Sequence, residues 1–159
     1  VVNSPLEVLT PNGRSLPITS PELLAELAEA YGAEVELINI GRGVFDSMPL
    51  SLMSMATGAA LDADFRRFRQ NIVIETISGK PFAEEGWLNK TLTFFFFLRI
   101  RLNQRIPRCV MVNLDVETAV KDPSILKNIA QTRDNCVGVH ASTEVPGRIA
   151  VGDVVWLEG

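Results

Sequence analysis

The stretch that decides the fold runs from Lys90 to Leu102, "KTLTFFFFLRIRL". It is long and β-prone. In its second half Leu98, Ile100 and Leu102 alternate with Arg99 and Arg101, the period-two pattern of a strand with one buried face. A few residues on, "RIPRCVMVNLD" spans Arg105 to Asp115 and places Cys109 inside an apolar run that reads as a further strand. "CVGVHAST", "GRIAV" and "DVVWLE" follow as short closing strands, separated by Pro146-Gly147 and Gly152-Asp153. Between them "DPSILKNIAQT" is a helix, with Asp122 as cap and Pro123 at its first position.

Upstream, "LEVLTPNGRSLPI" carries Pro11-Asn12-Gly13, a turn signal between two short strands. "TSPELLAELAEAYG" is a helix: Ser20 caps it, Pro21 opens it, Leu23, Leu24, Leu27 and Tyr31 form its apolar stripe, and Gly32 ends it. "EVELINI" reads as a strand and "GRGVFDSMP" as a loop. "LSLMSMATGAALDADF" reads as a helix beginning near Ser51. If "FRRFRQNIVIET" is extended, Arg67, Arg69, Asn71, Val73 and Glu75 share a face. "SGKPFAEEGWLN" is a turn-rich connection. Many short strands with about three helices, not in strict βαβ alternation, favour a mostly antiparallel sheet or barrel decorated by helices.

Composition narrows the function classes. The 159 residues suit one folded domain, taken as 1–159. Fifteen basic against nineteen acidic residues give a net charge of −4, which supplies no general reason to bind nucleic acid. No apolar run is long enough to span a bilayer. "VVNSPLEV" lacks the features of a signal peptide, and the chain begins without Met, as a processed chain or a piece of a longer one would. Two cysteines without CxxC, and a single histidine, make no zinc site. They point to a reducing, cytoplasmic compartment.

Four groups bear on chemistry. "RRFRQN", Arg66 to Asn71, offers guanidinium groups and a carboxamide suited to phosphate or another oxyanion, or else a solvated charged face. Cys109, preceded by Arg108, is either a small buried hydrophobe or a thiolate stabilised by nearby cations. On a strand Arg108 and Cys109 point to opposite faces. Cys136 and His140 share a face of an extended chain but lie about 13 Å apart, too far for a dyad. Glu84 and Glu85 are adjacent and do not form a paired-carboxylate site, while Phe82 and Trp87 look like core anchors.

The order of these motifs carries more than any one of them. "GRGVFDSMPLSLMS", "DADFRRFRQNIVIE", "PFAEEGW", "RCVMVNLDVET", "DPSILKNIA" and "PGRIAVGDVVWL" together resemble the MOSC family, the C-terminal domains of molybdenum cofactor sulfurases, over roughly residues 41–157. Residues 1–40 then form a short amino-terminal remnant. The resemblance implies a mainly β fold, a barrel of mostly antiparallel strands with a few peripheral helices. It implies the molybdenum cofactor, a pterin with a dithiolene and a phosphate, as the bound group.

By motif, Cys109 would carry sulfur to the cofactor or ligate molybdenum, as in sulfur transfer or in the reduction of N-hydroxylated compounds. Arg69 and Asn71 would hold the anionic end, with Arg67 and Arg108 assisting. A cysteine desulfurase or a redox protein would be the partner. Pyridoxal phosphate belongs to a separate domain of fused sulfurases and is not expected here. Family members usually have Thr-Gly where this chain has Thr118-Ala119, and a polar or glycine-containing turn where it has Phe94 to Phe97. Those departures motivate the alternative, a non-catalytic interaction module that keeps the barrel and needs a partner chain or a second copy.

Overall fold

The computed structural model describes residues 6–38, 47–95 and 97–159. Its contacts fall into two compact units, Val1–Gly43 and Val44–Gly159.

In the first unit, strands β1 (Glu7–Leu9) and β2 (Ser15–Pro17) pair antiparallel. The turn between them is closed by the Gly13 amide donating to the Thr10 carbonyl at 2.8 Å, with Gly13 at φ +80°. Helix α1 (Pro21–Tyr31) follows the expected signals. The Ser20 hydroxyl accepts from the Leu23 amide at 3.1 Å, and Gly32 at φ +79° ends the helix with its amide on Ala28. The expected strand "EVELINI" is absent over residues 34–38, which are irregular, and Asn39 and Ile40 lie outside the described residues. Residues 41–46 of the expected loop also lie outside them.

The second unit is built on one curled sheet of six strands, a half-barrel. Its strands are β3 (Leu50–Ser54), β4 (Ile72–Ile74), β5 (Thr91–Phe94), β6 (Leu98–Pro107), β7 (Cys136–Val145) and β8 (Val155–Glu158), in the order β4-β3-β7-β6-β5-β8. Only β3 and β4 run parallel. Helices α2 (Met55–Ala60) and α3 (Pro123–Thr132) accompany the sheet. The mainly β reading with a few helices therefore holds.

"LRIRL" behaves as its alternation requires. Leu98, Ile100 and Leu102 are buried and Arg99 and Arg101 exposed. Full burial of a side chain such as Ile100 contributes about 1.5–3 kcal/mol. These residues join Leu52, Ile72, Ile74, Leu92, Phe94, Val139 and Ala141 in one core, against which Trp87 packs. A second core gathers Met53, Phe68, Val112, Ile129 and Val137, with Phe82 against it. The anchoring roles expected of Phe82 and Trp87 are met, on different cores.

Four local expectations are corrected. "LSLMS" is strand β3 rather than the start of a helix. It lies between β4 and β7, so sheet pairing overrides the helix propensity of Leu and Met. The helix begins only at Met55, where the Ser54 hydroxyl accepts from Thr57. "FRRF" is not extended but a 3-10 turn, Phe65–Phe68, leaving only Ile72–Ile74 as strand. "IPRCVMVNL" is not one strand: β6 ends at Pro107, and Val110–Asn113 is a 3-10 turn. "GRIAV" forms no strand. There a Cβ on Gly147 would meet the Leu98 amide nitrogen at 2.9 Å, so the segment crosses close to the sheet backbone.

The phenylalanine run makes the β5–β6 hairpin. Phe94 is buried and closes the turn by accepting from the Phe97 amide at 3.1 Å, while Phe95 and Phe97 are exposed. Phe96 lies outside the described residues.

Gly138 interrupts β7 with φ +75°. A Cβ there would sit 2.9 Å from the Leu52 carbonyl oxygen and 3.1 Å from the Gln70 carboxamide nitrogen. Gly138→Ala is expected to cost about 1–3 kcal/mol from the left-handed backbone alone, with the clash added. Urea denaturation of the pair checks this, and an unchanged midpoint would contradict it.

Candidate functional site

Two loops carry the motif residues, and specific contacts lock them together. The first holds Arg66 to Asn71. The second runs from Arg108 through the Val110–Asn113 turn to Asp115.

The three arginines of the first loop have different fates. Arg66 is exposed and already neutralised, since it donates to both oxygens of Asp64 and, at 2.7 Å, to Glu117. Those hydrogen bonds, Asp64 first, raise its pKa further and hold Asp64 below the usual carboxylate range. Arg67 is largely buried and reaches the second loop. It donates to the Asn113 carbonyl at 3.0 Å and to Asp115 at 2.8 Å. Arg69 ends the 3-10 turn in the left-handed region at φ +51°, its amide bonded to the Arg66 carbonyl. Its side chain is exposed, and no hydrogen bond or ion pair holds it among the described residues.

Asn71 ties the strands that follow. Its carboxamide oxygen accepts from the Ser51 amide at 2.9 Å and the Ser51 hydroxyl at 3.0 Å, while its own amide donates to that hydroxyl. Between Arg69 and Asn71, Gln70 buries both polar atoms of its carboxamide without a hydrogen-bond partner. Sequence reasoning passed over Gln70, although its place inside "RFRQN" was the available signal.

Arg108 makes the second link. Its guanidinium donates to the Phe68 carbonyl at 2.5 Å and lies 5.4 Å from the centre of the Phe68 ring. Burial lowers its pKa to about 10, partly offset by Cys109. Its Nε is buried with no partner. The backbone is fixed from the other side: the Arg108 amide donates to the Asn135 carbonyl at 2.8 Å, and the Asn135 side chain donates to the Arg108 carbonyl at 2.9 Å. Cys109 then stands exposed at the head of the Val110–Asn113 turn. The contact between Arg108 and Phe68 thus brings Arg69, which follows Phe68, into one region with Cys109, which follows Arg108.

A buried ionic cluster supports this arrangement. Glu85 is bound by Arg133 at 2.6 Å and Arg105 at 3.1 Å, and Arg133 stacks over Phe82 at 3.8 Å. Burial pushes the Glu85 carboxyl up in spite of both arginines. Glu84 is fully buried and accepts from the Ser54 amide at 3.2 Å. Glu85 thus fixes the chain around Arg133, two residues before Asn135, while Glu84 is tied to Ser54. Cys136 and His140 both lie on β7, where His140 approaches the Leu50 carbonyl at 3.4 Å.

A cleft of about 770 Å³ opens between β4 and the segment leading into β8. Asn71 lines it, but Arg67, Arg69, Arg108 and Cys109 do not. The sequence-predicted residues therefore divide: Arg69 and Cys109 flank the contact of Arg108 with Phe68, Arg67 braces the two loops, and Asn71 borders the cleft. Among the described residues no group of three or more His, Cys, Asp and Glu side chains is placed to hold a metal ion. No helix among them is long and apolar enough to cross a membrane.

The turn after the second loop shows how Thr118-Ala119 is accommodated. Asp115 accepts from the amides of Glu117 and Thr118 and from the Thr118 hydroxyl. These bonds, those of Thr118 first, hold its carboxyl below the ordinary range. Ala119 adopts φ +57° and donates to the Asp115 carbonyl at 3.0 Å. Alanine there occupies a conformation suited to glycine. Ala119→Gly is expected to stabilise the chain by about 0.5–1 kcal/mol, because relief of that strain exceeds the added unfolded-state entropy. Thermal denaturation checks it, and a lowered midpoint would contradict the strain argument.

No curated protein matches the chain. The family model described as the MOSC domain matches residues 12–156, nearly its whole length, and covers both loops. That family is associated with the molybdenum cofactor. The motif order, the half-barrel and this match agree, and the chain belongs to the MOSC domain family.

Proposed function

We propose that this chain binds the molybdenum cofactor at the junction of the two loops, with Cys109 as the thiol that carries sulfur to the cofactor or ligates its metal. One observation carries the reading. Of the three arginines in "RRFRQN", Arg69 alone is exposed and uncommitted, and it follows the residue that anchors Arg108 beside the exposed Cys109.

The residues present fit such a group. Arg69 is a free guanidinium suited to a phosphate, and the buried Nε of Arg108 and carboxamide of Gln70 are polar groups still lacking partners. A thiolate is a soft ligand, appropriate to molybdenum or to bound sulfur. When bound, the cofactor supplies a redox-active metal held by dithiolene sulfurs. The protein's own part is to hold the anionic end on Arg69, while Asn71 ties the strand that follows to Ser51. Arg67 and Arg108 keep the two loops in register, and Cys109 presents its sulfur on a backbone fixed by Asn135. In the sulfur-carrier form a cysteine desulfurase charges Cys109, and in the reductase form a redox protein supplies electrons. Either form suits the cytoplasm, where thiols stay reduced.

A second reading, an interaction module acting through a partner chain, draws on the exposed Phe95 and Phe97 at the β5–β6 hairpin. The two separate by cofactor retention. Purified protein is assayed for molybdenum and for the fluorescent oxidation product of the pterin. Loss of one charge-assisted contact in Arg69→Ala is expected to lower retention about tenfold or more. Cys109→Ser is expected to lose bound sulfur or molybdenum, while Arg99→Ala, on the far hairpin, changes neither. Full loading of Cys109→Ser with metal and sulfur would end the reading.

A further inference from the structure

We infer that Cys109 and Cys136 form a reversible internal disulfide, so that the site thiol can be withdrawn by oxidation. Both thiols are free in this structure, Cys109 exposed and Cys136 half-buried. The β6–β7 ladder sets their register. Pro107 lies directly opposite Cys136. Pairing continues one residue beyond β6, through the paired contacts of Arg108 and Asn135. Cys109 is itself extended, with φ −112° and ψ −179°. Exposure alternates along this stretch: Ile106 is buried, Pro107 exposed, Arg108 half-buried and Cys109 exposed. Cys109 therefore projects from the same face as Pro107, and so from the face of Cys136.

Diagonal neighbours on an antiparallel ladder have Cα atoms about 7–8 Å apart. A disulfide tolerates up to about 6.8 Å, so closure needs a shift of about 1 Å. The backbone on either side must take up that shift. Cys109 begins a 3-10 turn, and Asp134 and Asn135 form a tight turn at φ +53° and +59° just before Cys136. A bond closed against that displacement is readily reduced, the property of a labile and not a structural disulfide.

The chemistry balances with a small disulfide as oxidant, for which oxidised glutathione serves. The Cys109 thiolate attacks one of its sulfurs, the S–S bond breaks, and one glutathione thiolate leaves. The Cys136 thiolate then attacks the Cys109 sulfur, and the second glutathione thiolate leaves. The two protein thiol protons pass through solvent to the departing thiolates. Two protein thiols are oxidised and one disulfide is reduced to two thiols. While the link stands, Cys109 has no thiolate for sulfur or metal. That consequence rests on the role proposed for Cys109, whereas the bond itself does not.

The test uses the full chain, native and free of cofactor, in oxidised and reduced glutathione. Free thiols are quenched with an alkylating reagent and the peptides are mapped by mass spectrometry. The expected result is a monomer with a peptide linking Cys109 to Cys136, reversed by excess reduced glutathione. Cys136→Ser should instead accumulate a glutathione adduct on Cys109, about tenfold above the unsubstituted chain, because the resolving thiol is gone. The inference falls if the unsubstituted chain holds that adduct as strongly as Cys136→Ser. It falls equally if the link forms only between chains or only in denaturant. Pterin loading of the fully reduced protein is measured separately, so its failure would sink the cofactor reading and leave this one standing.

Discussion

The guanidinium of Arg108, turned inward against the carbonyl and ring of Phe68, is the contact on which the rest of the site depends. Taking a cation out of water is costly, and its lowered pKa records that cost. What returns is position. The contact joins two loops far apart in sequence and leaves Cys109 outside, on a backbone that Asn135 holds from the opposite side. Arg67 makes a parallel link to Asn113 and Asp115. Two of the four arginines near the two loops are thus used for construction and a third is neutralised on the surface, while Arg69 stays exposed with no partner among the described residues.

The ladder between β6 and β7 supplies the frame. Strand β6 ends at Pro107, and a last backbone bond, from Arg108 to the Asn135 carbonyl, closes the ladder. Beyond that point the chain turns into 3-10 geometry and the thiol becomes exposed. The ionic cluster of Glu85, Arg105 and Arg133 holds the facing turn. Glu85 is thereby accounted for as support. The same ladder sets Cys136 opposite Pro107, two residues before Cys109.

Much of the fold was legible where local chemistry and tertiary structure agree. The turn at Pro11–Gly13, the helix capped by Ser20 and ended by Gly32, the helix capped by Asp122 and the alternation in "LRIRL" each rest on short-range rules. The failures share a cause. "LSLMS" carries residues acceptable to helix or strand, and only its place between β4 and β7 decides for strand. The apolar residues of "FRRF" and "RCVMVN" are compatible with an extended chain, but each segment curls so that Phe68 and Val112 enter the second core.

For the site, residue types and motif order by themselves pointed to the family, which the match over residues 12–156 shows, and named the thiol and the arginine-rich loop as candidates for its chemistry. Those properties are written in side chains and survive any change of local conformation. Which arginine stays free, that Arg67 and Arg108 face inward, that Gln70 is buried without a partner, and that Cys109 stands exposed on the same face as Cys136 were decided by tertiary structure alone. A guanidinium has the same formula whether it grips a ligand or a carbonyl forty residues away, and only the packing of the loops determines which of the two it meets.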